Sequence, residues 1–413
     1  MKRLVSVSFA FLTLLLFCCK ENSVVPPPDP PGKQKHIFWP SLADSPWPVF
    51  HGDPQSTGRS KYKGPQLGVI DWSYTFTGRA KFSFVNIDVG NIIRLTCGWS
   101  RYDPALLSLS SQGVELWKIN LTDSSRAGLP EILHSATIDA YGTIYVGASN
   151  GYFYAINPDG SIKWKYNTVE TVLSGLAGAN IGLDGTIYFS TNTTLFALNR
   201  DGILQWKLNN VSPVEFKSSP SFTFSRDGKT IYVGGNKGLF ALDQSGNLKW
   251  QFEFRNSYGL LFPLVDSDEN IYFLTDSNFY SVNASGVLRW KYSLPLGEYM
   301  DPTTAPTMDS NGNLYYTGDG KLYSLDYEGT LRWAAEGIKS GGSHLVCDSE
   351  GTIYVSGTSG GSIYAVTIEG KKKWELQVGT DQQIVCGPAL SSDGRLYILS
   401  YASGFLSTLY VIK

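Results

Sequence analysis

Seven tryptophans recur along this chain, at Trp117, Trp164, Trp206, Trp250, Trp290, Trp333 and Trp374, with successive spacings of 47, 42, 44, 40, 43 and 41 residues. A period of that length implies a row of one supersecondary unit, each copy needing its neighbours to bury an apolar face. The unit can be read from Ser135-Ala136-Thr137-Ile138-Asp139 through a Tyr-Gly turn to Thr143-Ile144-Tyr145-Val146-Gly147. It continues as Tyr152-Phe153-Tyr154-Ala155-Ile156, the turn Asn157-Pro158-Asp159-Gly160 and Ile162-Lys163-Trp164. Alternating apolar residues between Gly, Asn and Asp turns make four short strands. A charged fraction of 17%, an aromatic fraction of 14% and 43 glycines suit a turn-rich β chain.

A ring of four-stranded antiparallel blades is a β-propeller. Seven units end in these tryptophans, while the last segment, Pro388 to Lys413, has only three strands. Val69-Ile70-Asp71-Trp72-Ser73-Tyr74 reads as a fourth strand that lacks the preceding three. Pairing it with Leu409-Tyr410-Val411-Ile412 completes an eighth blade. The expected fold is therefore all-β, an eight-bladed propeller closed by its N- and C-terminal strands, with no open seam to pair with another chain. Trp72 joins the other seven as a blade-docking residue, because a flat indole stacks between blades and its N–H reaches a neighbouring carbonyl. Asn157, Asn199, Asp243, Asn283 and Asp326 suit the starts of the tight turns, and glycines such as Gly160 supply the left-handed backbone.

Met1-Lys2-Arg3, the apolar run Leu4 to Phe17 and then Cys18-Cys19 read as a secretory signal, too short for a comfortable membrane span. Leu16-Phe17-Cys18-Cys19 resembles a lipobox with Cys19 as the lipid-bearing thiol; a plain cleaved signal is the alternative. The expected organisation is a lipoprotein signal over 1–19, a Pro-rich tether over 20–46 and the propeller over 47–413. The expected location is the cell envelope, lipid-anchored to the outer membrane and facing periplasm or cell surface. Lys20-Glu21 is similar to the charged export signal of surface lipoproteins. Loss of Lys2 and Arg3 leaves 32 basic against 36 acidic residues, so there is no basic footprint for nucleic acid. The run Lys371-Lys372-Lys373 is read as a solvated strand edge.

Three motifs carry a family resemblance: Ala155-x-Asn157-x-x-Gly160-x-x-x-Trp164, Ala197-x-Asn199-x-x-Gly202-x-x-x-Trp206 and Ala241-x-Asp243-x-x-Gly246-x-x-x-Trp250. They resemble the tryptophan-docking repeat of pyrroloquinoline-quinone-like propellers, and Trp47-Pro48-Val49-Phe50-His51-Gly52-Asp53-Pro54-Gln55-Ser56-Thr57-Gly58-Arg59 resembles the segment preceding the first blade. That family includes quinoprotein dehydrogenases and non-catalytic members such as the propeller lipoprotein of the outer-membrane β-barrel assembly machinery, so the fold does not settle function. The turns here are one residue shorter than those usual in the dehydrogenases. The only adjacent cysteines, Cys18 and Cys19, belong to the signal.

No catalytic residue stands out. Asp266-Ser267-Asp268-Glu269-Asn270 and Asp309-Ser310-Asn311-Gly312-Asn313 look like calcium loops but fall where each repeat turns between its first two strands. His36, His51, His134 and His344 lack zinc spacing. Cys97, Cys347 and Cys386 read as buried strand thiols that the sequence does not pair; Cys347 and Cys386 sit at different heights in their first strands, which weighs against a disulfide between them. Both short turns of each unit lie on one plain face, which leaves the variable loops on the other, where binding usually resides. Candidate ligand-face residues near the channel mouth are Arg126, His134, Lys217, Tyr258, Tyr299, Asp301 and His344; solvated loop or blade packing is the competing reading for each. The expected function is a non-catalytic binding scaffold that holds an envelope protein or peptide as a monomeric propeller, without cofactor or metal. The alternatives are a quinone- and calcium-dependent oxidoreductase and a surface glycan binder.

Overall fold

The structure is a computed structural model. It describes residues 29–77, 84–97, 105–121, 135–148, 150–169, 178–191, 193–209, 221–235, 237–254, 261–275, 277–295, 298, 300, 304–338, 344–357, 360–384, 387–402 and 406–413. One compact unit runs from Gly32 to Lys413. Trp39 and Leu42, within the stretch expected as tether, belong to this unit and are buried at 6% and 5% exposure.

Seven four-stranded antiparallel sheets follow one another along the chain, and an eighth joins the two ends. Blade 2 is typical, with Thr137–Ile138 innermost, then Ile144–Ala148, Tyr152–Ile156 and the outer strand Ile162–Asn167. Its second and third strands are almost wholly buried, while the outer strand alternates exposed and half-buried residues. Large aromatics fill the space between blades: Phe153 of blade 2 stacks on Phe189 of blade 3 with ring centroids 3.9 Å apart. In blade 8, Ile70–Thr77 pairs with Leu406–Ile412 from Ile70 opposite Ile412 to Thr77 opposite Leu406, which closes the ring. Val69 and Lys413 exchange backbone hydrogen bonds at this seam. Asp71 accepts from Lys413 Nζ at 2.7 Å and Arg395 Nε at 2.9 Å, and these cations hold its carboxyl below the usual range.

The tryptophan has a defined job in each blade. Trp117, Trp164, Trp206, Trp250, Trp290 and Trp333 donate their indole N–H to a turn carbonyl of the next blade, at 2.8 to 3.0 Å. Trp374 donates to Pro65, in the segment leading into the closing strand. Beneath each ring lies a turn glycine with positive φ: a Cβ on Gly202 would sit 2.8 Å from the Trp164 ring, so this glycine serves close approach as well as backbone conformation. On the tryptophan's own sheet the facing residue is small, Ala155 opposite Trp164 and Ala197 opposite Trp206, and a bulge follows at that point. Blade 8 departs from this pattern. Val411 faces Trp72, whose indole N–H is buried without an acceptor.

Trp164→Phe should therefore cost about 1 kcal/mol more stability than Trp72→Phe, because only Trp164 loses a made hydrogen bond, to the carbonyl of Arg200. Denaturant unfolding of both variants measures the difference, and equal losses would contradict the assigned role of the N–H.

Candidate functional site

The innermost strand of each blade presents a short row of backbone groups toward the ring axis, and the segment from Trp47 to Ser60 meets them. Trp47 exchanges hydrogen bonds with Ile87 of blade 1, and the Pro48 carbonyl accepts from Ile138 of blade 2. The Pro54 carbonyl accepts from the Asn180 side chain of blade 3 and from the hydroxyl of Thr223 and the N–H of Phe224 in blade 4. Gln55 serves Val265 of blade 5, Thr57 serves the Thr307 hydroxyl of blade 6, and Gly58 and Ser60 bracket Cys347 of blade 7. A segment this short reaches seven successive blades only by lying across the axis. It is a plug.

Its tight path has local causes. Asp53 accepts the N–H groups of Gln55 and Thr57 at 3.1 and 3.0 Å and the Thr57 hydroxyl, an Asp-led turn. His51 sits at positive φ with Nδ1 2.8 Å from the Ser56 carbonyl and Nε2 2.7 Å from the Leu345 carbonyl. A Cβ on Gly58, itself at φ +64°, would come within 2.5 Å of the imidazole, so only glycine fits there. Both carbonyls favour a charged ring, as does Asp53, but complete burial outweighs them and keeps His51 below its ordinary pKa.

Toward the loop-rich face the plug ends in an aromatic floor. Phe50 meets Phe84 edge-on at 5.3 Å, Phe262 at 5.7 Å and His344 edge-on at 5.0 Å. Phe84, Phe262 and His344 stand at the starts of the innermost strands of blades 1, 5 and 7, and the three phenylalanines are half-buried. His344, a candidate ligand-face residue, is buried at 7% exposure, and its Nδ1 accepts the Ala305 N–H at 2.8 Å, in keeping with the blade-packing reading. It orients the floor and does not face solvent. Arg126, His134, Lys217, Tyr258, Tyr299 and Asp301 lie outside the described residues, as does Cys19. Sequence reasoning missed Phe50, Phe84 and Phe262. Aligning the repeats at their first strands, and not only at the tryptophans, would have exposed an aromatic at one register in three blades.

The calcium-like loops are turns. Asp266 and Asp309 each accept two backbone N–H groups and a tyrosine hydroxyl, from Tyr272 and Tyr315, and Asp139 and Asp348 repeat the arrangement. Among the described residues no three His, Cys, Asp or Glu side chains gather in metal-binding geometry. Cys347 is a buried thiol outside any disulfide, and burial pushes its pKa up; Cys386 lies outside the described residues. With Lys372 paired to Glu375 at 2.6 Å and Lys373 bonded to Thr352, the lysine run is an ordinary outer-strand edge.

Repeated docking tryptophans, eight blades and a closing terminal strand define a pyrroloquinoline-quinone-like propeller. The family described as outer membrane protein assembly factor BamB matches residues 102–259 and again 241–410, and the chain belongs to that family. Among solved structures, BamB from Moraxella catarrhalis aligns with a TM-score of 0.62 at 16% identity, over 83% of this chain and 99% of that one. A europium-containing methanol dehydrogenase aligns at 0.67 and 13% identity, over 89% and 98%. A streptogramin B lyase aligns at 0.52 and 13% identity, over 83% and 98%. At these identities the likeness shows the fold alone. No curated protein matches the chain.

The His51 geometry sets a pH dependence. The unfolded ring takes up its proton near pH 6.5 and the folded ring resists it, so stability is complete above that pH and declines as pH falls toward the lower folded value. The melting midpoint should drop on acidification below about pH 6.5. His51→Gln should flatten that part of the profile; an unchanged slope would remove His51 as its source.

Proposed function

We propose that this protein is a non-catalytic binding scaffold of the bacterial cell envelope, anchored to the outer membrane through a lipid on Cys19, that holds a protein or peptide partner on its loop-rich face. Membership of the BamB family supports the envelope setting and the scaffold role. The observation that carries the choice of face is the plug: residues 47–60 fill the ring axis, and Phe50, Phe84 and Phe262 form a half-buried apolar floor toward the loops. Partly exposed aromatics on a rigid base, ringed by variable loops, are the composition of protein-binding hot spots. Capture from detergent-solubilised envelopes of the native host should recover a defined partner with the parent chain and lose it with Phe84→Asp combined with Phe262→Asp. Recovery unaffected by these changes would remove the floor from the interface.

The alternative is an oxidoreductase using pyrroloquinoline quinone and calcium. Against it, Phe50 and His51 stack within the segment that fills the ring, and among the described residues no three His, Cys, Asp or Glu side chains gather as metal ligands. A ligand bound only by the folded chain raises its melting midpoint. Quinone with calcium should leave the midpoint unchanged, and a clear rise would revive the enzyme reading.

A further inference from the structure

The outer strands repeat an apolar residue that the blade itself leaves half in water. Two positions after the turn glycine and two before the docking tryptophan stand Ile70, Ile162, Leu204, Leu248, Leu288 and Leu331, each 37–48% exposed. Directly after the glycine, Val114, Ile203 and Val287 are 60–62% exposed. All of them lie where the outer strand begins, at the plain-face end of the blade. The half-buried indoles fall between them: Trp164 rests on Gly202, which Ile203 follows, and Trp250 rests on Gly286, which Val287 follows. Aliphatic side chains and indole edges therefore alternate around the plain-face rim, broken in blade 7 by Lys371 and Lys372. Scattered exposed hydrophobes are ordinary, but a continuous apolar band marks a surface that meets a partner or a membrane.

The chain joins the ring on this same face. Gln34 donates its N–H to the Ser310 carbonyl at 2.9 Å, and a Cβ on Gly32 would strike the Tyr327 ring and the Asn311 carbonyl. Ser310 and Asn311 belong to the first-to-second turn of blade 6 and Tyr327 to its third-to-fourth turn, both on the plain face. Fully extended, the stretch from Cys19 to Gly32 spans at most about 45 Å. A lipid on Cys19 thus pulls on the plain face over a short distance.

From this we infer that the plain face docks on the lipid bilayer, with its apolar rim set at the boundary of headgroups and acyl chains. Indole rings favour that boundary, because one edge is apolar and the N–H end is polar. The rim supplies a second membrane signal beside the lipid anchor, which is what stable anchoring takes. Exposed charges nearby carry both signs, with Asp159, Asp201 and Glu328 against Lys163, Lys249 and Lys371, so the attraction is apolar and needs no anionic lipid. The loop-rich face then points away from the membrane, free for its partner. This orientation rests on the reading of Cys19 as the lipid-bearing thiol.

Fluorescence quenching on phosphatidylcholine vesicles with a spin label on some headgroups tests the orientation. The full chain from its host carries a thiol-linked fluorophore at Val114→Cys on the plain face, or at Val169→Cys or Leu406→Cys on the other, with the parent chain labelled in parallel as background. Quenching at Val114→Cys should exceed that at the other two sites at least threefold; equal or reversed quenching overturns the inference. Adding Ile203→Asp, Val287→Asp and Leu331→Asp should cut the Val114→Cys quenching at least threefold with the melting midpoint kept. Undiminished quenching in that folded variant removes the rim as the contact. Self-association of the parent chain without vesicles, lost in the same variant, makes a second copy the occupant and overturns the lipid assignment. The intact mass reports the lipid on Cys19 separately: a chain without it refutes that reading, and the same quenching on added vesicles still decides for or against the rim.

Discussion

Each blade of this ring is incomplete without the turn of the next, because the indole of one blade rests on a glycine and bonds a carbonyl that the following blade supplies. The contact fixes spacing and tilt together. A side chain on the glycine would strike the ring, and a large residue opposite the tryptophan would crowd it, which gives the alanine and glycine of the repeat their physical reason. Blade 8 has no continuous third-to-fourth turn, and the chain substitutes Pro65 and Gly68 to receive Trp374. Among the eight docking tryptophans, Trp72, facing Val411, is the one whose N–H finds no carbonyl.

The ring's other requirement lies at its axis. Innermost strands of two or three residues offer backbone groups that the blades themselves cannot pair, and buried groups of that kind need partners. Residues 47–60 provide them, and the same stretch of chain then runs outward to become the closing strand. Axis and seam are thus coupled through one segment. The plug also separates two chemically different ends: an aromatic floor toward the loops, and a cavity of mixed polar and apolar lining toward the plain face.

How much of this was readable depends on whether a residue's partner is local or remote. The turn aspartates Asp266 and Asp309 were legible as turns because their acceptors serve N–H groups two and four residues on. His344 was legible only as a residue near the channel mouth. Its anchoring to Ala305 and its packing on Phe50, some 300 residues earlier, belong to the folded ring. Trp39 and Leu42 looked like tether because their composition context is Pro-rich, yet they reach the blade 2–3 surface, where Trp39 donates to the Ile181 carbonyl at 2.7 Å.

By itself the sequence determined the blade, its count and its closure, since a repeated tryptophan with an alternating strand pattern and an orphan fourth strand admits few other arrangements. The tertiary structure alone decided what the N-terminal segment does. Its hydrogen bonds run to seven blades spread over more than 250 residues, and none of those partners is a neighbour in sequence. Periodic neighbours write themselves into a sequence. A segment that crosses the axis once leaves no period to read.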